Sequence, residues 1–235
     1  MSGDLFSYAL AAALATALLV AAFTDLRRRE IDNGLNAAIA LAAPLWWLAM
    51  GFGWSDIGFQ VTLAAATFAI TCVLFAVRQM GGGDVKLLTA LALWFPPVSF
   101  AQVIVLTAVI GGGASVAMAT FNMKRVPGET LRDALAVSVA LAWVGGAGSV
   151  LLSLVTHRPF VGRAAETIAA VLPRGWMIGI IAILVVAIFT LGLAHIMRRQ
   201  KSRLPIPYGI AIAAAGLWVL GEQTLLAARL GPLPG

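Results

Sequence analysis

Eight apolar stretches, separated by short polar connections, dominate what this chain can fold into. They run roughly over 5–24, 34–53, 57–77, 87–97, 98–121, 134–156, 175–197 and 208–228. About 20 apolar residues in a helix cross a hydrocarbon layer, and only helices and closed barrels satisfy their own backbone groups there. Charged residues make up 11% of the chain and apolar ones 61%, against about 25% and 45–50% in a soluble domain. The mean hydropathy is +0.96. A soluble core of 235 residues cannot hide so much apolar surface, so the solvent is lipid. The expected fold class is all-α, a polytopic transmembrane helical bundle of about eight spans. It reads as a single integral membrane domain over 1–235.

The net charge is +6, and its placement matters more than its size. Arg27–Arg29, Arg78 with Lys86, Lys124 with Arg125 and Arg132, and Arg198, Arg199, Lys201 with Arg203 fall in alternate connections. The positive-inside rule makes those connections cytoplasmic and the N-terminus external. The external stretch 157–174 carries Phe160, Ala164, Ile168, Val171 and Leu172 in a pattern that predicts a short surface helix. No basic face is interleaved with stacking aromatics, which argues against nucleic acid. The first basic residues follow the first apolar run, unlike a cleavable signal peptide. Cys72 is the one cysteine. It allows neither an internal disulfide nor a Cys-rich zinc module and reads as packing.

Three other features bear on packing. The stretch 87–97 is short for a crossing and ends at Pro96 and Pro97, as suits a span buried by protein or one that crosses a thinned bilayer. Gly111–Gly113 and Gly145, Gly146 and Gly148 are expected to let helices approach closely. Trp46, Trp47, Trp54, Trp94 and Trp176 are expected at the interfaces.

Acids beside apolar spans are costly and so point to function. Asp4, Glu30, Asp56, Glu129, Asp133 and Glu166 fall at loops or helix ends, where water is expected to reach them. Asp25 closes the first span ahead of Arg27–Arg29 and, taken alone, reads as a solvated surface carboxylate. Asp84 follows Gly81-Gly82-Gly83. The glycines predict a loop delivering it to a helix N-terminus, where it could serve as an N-cap. A cap explains the aspartate but not the glycines, which leave room for another backbone. Both carboxyls are expected at one membrane face. Two carboxyls sharing a site cannot both ionise cheaply, so one keeps a proton. The ionised partner can then activate water while the other protonates a scissile carbonyl. Glu222 reads as interface pairing near Gln223 and Arg229, and Lys86 as an interface anchor.

Asp25-Leu-Arg-Arg-Arg-Glu-Ile31-Asp32-Asn33 resembles the first aspartate motif of the type IV prepilin peptidases. Gly81-Gly82-Gly83-Asp84-Val85-Lys86-Leu87 resembles their second, Gly-x-Gly-Asp-x-Lys-Leu. Leu204-Pro205-Ile206-Pro207-Tyr208-Gly209-Ile210-Ala211 is similar to the entry to the last span in the small Flp/Tad-type members. Asp32 departs from the family's usual proline and is expected to cap the second span with Asn33. Against six spans in the small members, 125–203 reads as an insertion of two.

The resemblance implies an intramembrane aspartic endopeptidase in the bacterial inner membrane, with Asp25 and Asp84 catalytic at the cytoplasmic face. Gly81, Gly83, Lys86, Asn33, Pro207, Tyr208 and Gly209 would bind substrate or support the site. The substrate implied is a prepilin or pseudopilin precursor with a short basic leader. Pilus or secretion assembly proteins are further expected partners. No cofactor or metal is implied, and the chain lacks the Cys-rich region of the members that also N-methylate. Rival readings are an ion-coupled transporter, which would place acids near the midplane of two matching halves, and a non-catalytic pilus or secretion assembly protein. The presenilin-like proteases carry a Tyr-Asp pair where this chain has Thr24-Asp25.

Overall fold

A computed structural model describes residues 2–124, 128–156, 175–201 and 208–230. The described residues are helical apart from their connections and one isolated bridge between Met123 and Gln200. We label the helices α1 (Ser2–Arg28), α2 (Asn33–Ala49), α3 (Trp54–Ala76), α4 (Gly82–Ala92), α5 (Pro97–Phe121), α6 (Thr130–Thr156), α7 (Gly175–Arg198) and α8 (Tyr208–Leu230). Five of them, α1, α3, α5, α6 and α8, are long and apolar enough to cross a bilayer. The polytopic all-α expectation therefore holds. The surface helix expected within 157–174, with His157, lies outside the described residues, as do Arg125 and Pro207.

The chain divides into two compact units. One comprises Met1–Ala108 with Pro207–Gly235, the other Val109–Ile206. In the first unit α3 shows how lipid inverts the usual pattern. Its buried positions are Gln60, Ala64, Thr67 and Thr71, a small and polar stripe at helical spacing. Phe59, Phe68, Ile70 and Val73 face outward. An apolar solvent offers no gain from burying leucine, so close packing and hydrogen bonds hold the helices together instead. A Cβ on Gly216 of α8 would stand 3.0 Å from Leu18 of α1, which marks the close approach of those two helices.

α4 is eleven residues long, about 16 Å at 1.5 Å per residue, and does not span the bilayer. Protein encloses it: Val85, Leu87, Leu88, Ala90, Leu91 and Ala92 are all buried. The helix runs over 82–92 rather than 87–97, because Pro97 opens α5 instead of closing the previous helix. A helix ending inside apolar surroundings leaves carbonyls that need donors. Gln60 Nε2 donates to Ala92 O at 2.7 Å and to Phe95 O at 2.5 Å. Trp47 Nε1 donates to Leu93 O at 2.7 Å, and Trp94 Nε1 to Ile39 O at 2.8 Å. Trp47 and Trp94 are thus core residues rather than interface anchors, while Trp54 and Trp176 are exposed.

The second unit has its own buried cluster of Val116, Met123, Ala136, Ala140 and Ile196. Gly145, Gly146 and Gly148 meet nothing within 4 Å, so they mediate no close approach among the described residues. That part falls to Gly113, whose Cβ would lie 3.4 Å from Ala147, and to Gly192, whose Cβ would lie 2.8 Å from Val139. Asp133 sits at a helix end as expected, yet it is buried, 2.8 Å from His195 Nε2. Glu129 pairs with Arg199. Water was the expected partner of both acids; in the structure each has a cation or imidazole from the end of α7 or just beyond it.

Candidate functional site

The first unit gathers three short segments at one end: the exit of α1, the entry to α4 and the entry to α8. α1 ends at Arg28, and Arg29 takes a positive φ of 56° while its N–H donates to Asp25 O at 2.9 Å. This left-handed cap turns the chain at once. Asp32 then accepts the Gly34 N–H at 2.5 Å and opens α2, as expected. The turn brings Ile31 back over the site, where it is buried.

Asp84 is not the N-cap residue of α4, though its side chain reaches back to that residue. Gly81 is the N-cap, Gly82 and Gly83 lie inside the first turn, and Asp84 is the third helical residue. Its Oδ2 accepts the Gly81 N–H at 3.3 Å. The glycines answer to crowding. A Cβ on Gly81 would lie 3.0 Å from Asp84 Oδ2, and one on Gly83 would lie 3.2 Å from Ile31 Cβ and 3.4 Å from Ile31 N. The backbones of the two aspartate motifs therefore pack against each other through Gly83 and Ile31. Lys86 Nζ donates to Asn33 Oδ1 at 2.6 Å, a second tie between the same motifs. Lys86 thus has a specific partner in addition to its exposed position.

α8 completes the site. The Ile210 N–H donates to Asp25 Oδ2 at 3.2 Å. Asp25 thereby faces the positive end of a helix, where unpaired N–H groups favour an anion. A Cβ on Gly209 would stand 2.6 Å from Asp25 Oδ2 and 2.8 Å from Ile31 Cδ1. No side chain fits there. Tyr208 sits beside it, half-buried, as the first residue of α8.

Asp25 and Asp84 are 5% and 8% exposed, which separates them from solvated surface carboxylates. Burial, and secondarily the charge of Asp25, push the Asp84 carboxyl up to about 6 from 3.8, against a smaller opposing effect of the Gly81 N–H. The two groups are 59 positions apart in sequence and close enough in space for one to set the proton affinity of the other. Of the residues singled out from sequence, Asp25, Asn33, Gly81, Gly83, Asp84, Lys86, Tyr208 and Gly209 all lie in this unit.

Two residues near the site escaped the sequence reading. Ile31 contacts both glycine-bearing segments. Asn36, 4% exposed, directs Nδ2 toward Gly83 O at 3.5 Å and leaves Oδ1 without a hydrogen-bond partner. Its only signal was its place one turn beyond Asn33 on an otherwise apolar helix. Glu222 pairs with Gln102, whose Nε2 donates to Oε2 at 2.8 Å, and Gln223 donates to Ser99 Oγ at 2.7 Å. Arg229, the partner weighed from sequence, has no described side chain. Among the described residues no three His, Cys, Asp or Glu side chains gather as metal ligands.

The fold and this end of it define a class: an integral membrane protein of packed helices with two buried, interacting carboxyls. Residues 12–116 match the model of the type IV leader peptidase family, and over that stretch, a little under half of the chain, it is similar to that family. The match spans both aspartate motifs and stops before Tyr208 and Gly209. No curated protein and no solved structure matches the chain.

Proposed function

We propose that this protein is an aspartic endopeptidase that removes the short basic leader from prepilin or pseudopilin precursors at the cytoplasmic face of the bacterial inner membrane. The observation that carries the reading is the burial of two carboxyls in one site, with Asp84 raised to about 6 partly by the charge of Asp25. Asp84 is then the proton holder and Asp25 the ionised partner. Asp25 takes a proton from water as the water attacks the scissile carbonyl carbon, while Asp84 gives its proton to the carbonyl oxygen. The tetrahedral diol collapses with cleavage of the C–N bond. Asp84 recovers a proton from the diol, and Asp25 passes its own to the departing amine. Both carboxyls end as they began, and no covalent intermediate forms.

Gly81, Gly83 and Gly209 serve this chemistry by letting three backbone segments close around the pair. Asn33 and Lys86 hold the two aspartate motifs in register, and Pro207 and Tyr208 belong to the segment that leads into the Ile210 N–H. The substrate's apolar helix would lie among the spans, and its leader would present the cut site at the depth of the carboxyls. The proposal includes no N-methylation and no nucleic acid, and leaves pilus assembly proteins as further partners.

Co-expression with a Flp-type prepilin tests it. Asp25→Asn and Asp84→Asn should each leave the precursor at full size, with the membrane level of the protein unchanged. Asparagine is nearly isosteric with aspartate but carries no exchangeable acid proton. Normal processing by either variant overturns the assignment.

A further inference from the structure

The second unit contains a cavity of about 740 Å³ between α5 and α6 that the peptidase reading does not use. Its wall is apolar, with Ala117 from α5 and Val137, Ala140 and Val144 from α6. Phe121 and Leu141 also line it and are 88% and 66% exposed, so the cavity opens on the surface. In a chain that crosses a bilayer, such an opening faces hydrocarbon. Water gains nothing there, since a dry apolar slot offers it few hydrogen-bond partners.

One end of the cavity is different. Lys124 and Lys201 both line it. They are brought to one place by the bridge between Met123 and Gln200. Lys124 N–H donates to Arg199 O at 2.8 Å and Lys201 N–H to Asn122 O at 3.0 Å. Among the described residues neither ammonium has a carboxylate partner, whereas the neighbouring Arg199 is taken by Glu129. Two free cations at the polar end of an apolar slot match an anionic headgroup joined to acyl chains.

We propose that this cavity binds one anionic phospholipid of the bilayer, with its phosphate between Lys124 and Lys201 and acyl chain along Ala117, Val137, Ala140 and Val144. The site lies within the second unit and is independent of the carboxyl pair, so it stands or falls apart from the protease assignment.

The test uses the full chain in detergent, titrated with dioleoyl phosphatidylglycerol, dioleoyl phosphatidylcholine or glycerol 3-phosphate. Retained lipid is read by native mass spectrometry and stability by the thermal midpoint. Wild type should retain phosphatidylglycerol, with a raised midpoint, and not phosphatidylcholine. The double variant Lys124→Gln, Lys201→Gln should bind phosphatidylglycerol about thirty-fold more weakly, the loss expected for two cations removed from an anionic headgroup. The double arginine variant should keep the preference. Ala117→Trp, which fills the slot and leaves both lysines, should lose retention. Equal retention of the two lipids by wild type overturns the proposal, as does unchanged phosphatidylglycerol binding by the glutamine double variant. A shift with glycerol 3-phosphate equal to that with lipid shows a soluble-anion site instead. Retention by Ala117→Trp shows that the slot plays no part.

Discussion

Gly209 is the residue with least freedom in the site. Alanine there would place a methyl group 2.6 Å from Asp25 Oδ2 and 2.8 Å from Ile31 Cδ1, well inside contact distance. Either the carboxyl or the start of α8 must shift by about an ångström, and displacements of that size cost on the order of a hundredfold in rate. Gly209→Ala should therefore lower precursor cleavage about a hundredfold. Gly58→Ala, in open space within α3, should leave cleavage unchanged and stabilise the helix by up to about 1 kcal/mol. A quantitative gel of both variants beside wild type checks the contrast. Asp84 adds a dependence on pH. Its carboxyl holds a proton more tightly in the folded chain than in the unfolded one, so this group's contribution to stability falls as pH rises from 3.8 towards 6. The proton is also the one proposed for the carbonyl oxygen. The apparent second-order rate of cleavage should fall as pH rises through about 6, approaching tenfold per unit beyond it. A pH–rate profile with substrate far below saturation checks this, and a flat profile between 5 and 8 contradicts it. The sequence made both aspartates legible, through their place at span ends and the glycines beside one of them. It did not reveal why the glycines are there: Gly83 and Gly209 answer to Ile31, a contact between residues far apart in the chain that no local pattern encodes.

At the scale of elements, α4 is the instructive case. A short apolar run between glycines and prolines was readable as a helix, and of the two readings open for it, burial by protein or a thinned bilayer, the structure shows the first. Its limits were not readable, because Pro97 could close one helix or open the next, and Pro is well tolerated in a helix's first turn. Nor could the sequence say what satisfies the carbonyls beyond Ala92. Gln60 does so from α3, across 32 positions. Gln60→Leu should leave the Ala92 and Phe95 carbonyls without that donor. Each orphaned group costs about 1–3 kcal/mol, so a loss of roughly 2–6 kcal/mol is expected for the two. Urea or thermal unfolding in detergent measures it. The same logic explains Trp47 and Trp94. An indole N–H serves an interface or a buried carbonyl equally well, and only the partner on the facing helix decides between them. In the second unit, Asp133 and Glu129 were assigned to water because they stand at a helix start, a position from which the end of α7 cannot be seen.

The whole molecule combines a site built from three distant segments with a unit, Val109–Ile206, whose cavity and ion pairs belong to it alone. Composition sufficed for the class of fold, since no other solvent than lipid accommodates so apolar a chain. The division into units follows from which helices share a buried cluster, and that is set by side chains on facing helices rather than by any break in composition. α4 also ties the two ends of the site's surroundings together. Its far end is moored to α2 and α3 by an indole and an amide, and its near end carries Asp84. Its eleven residues are thus a ruler, fixing how far the carboxyl stands from the mooring. On the proposed function, where a precursor is cut then depends on how deeply it is seated as well as on the side chains around the bond, and proteins with unlike sequences but similar seating would be cut at the same level.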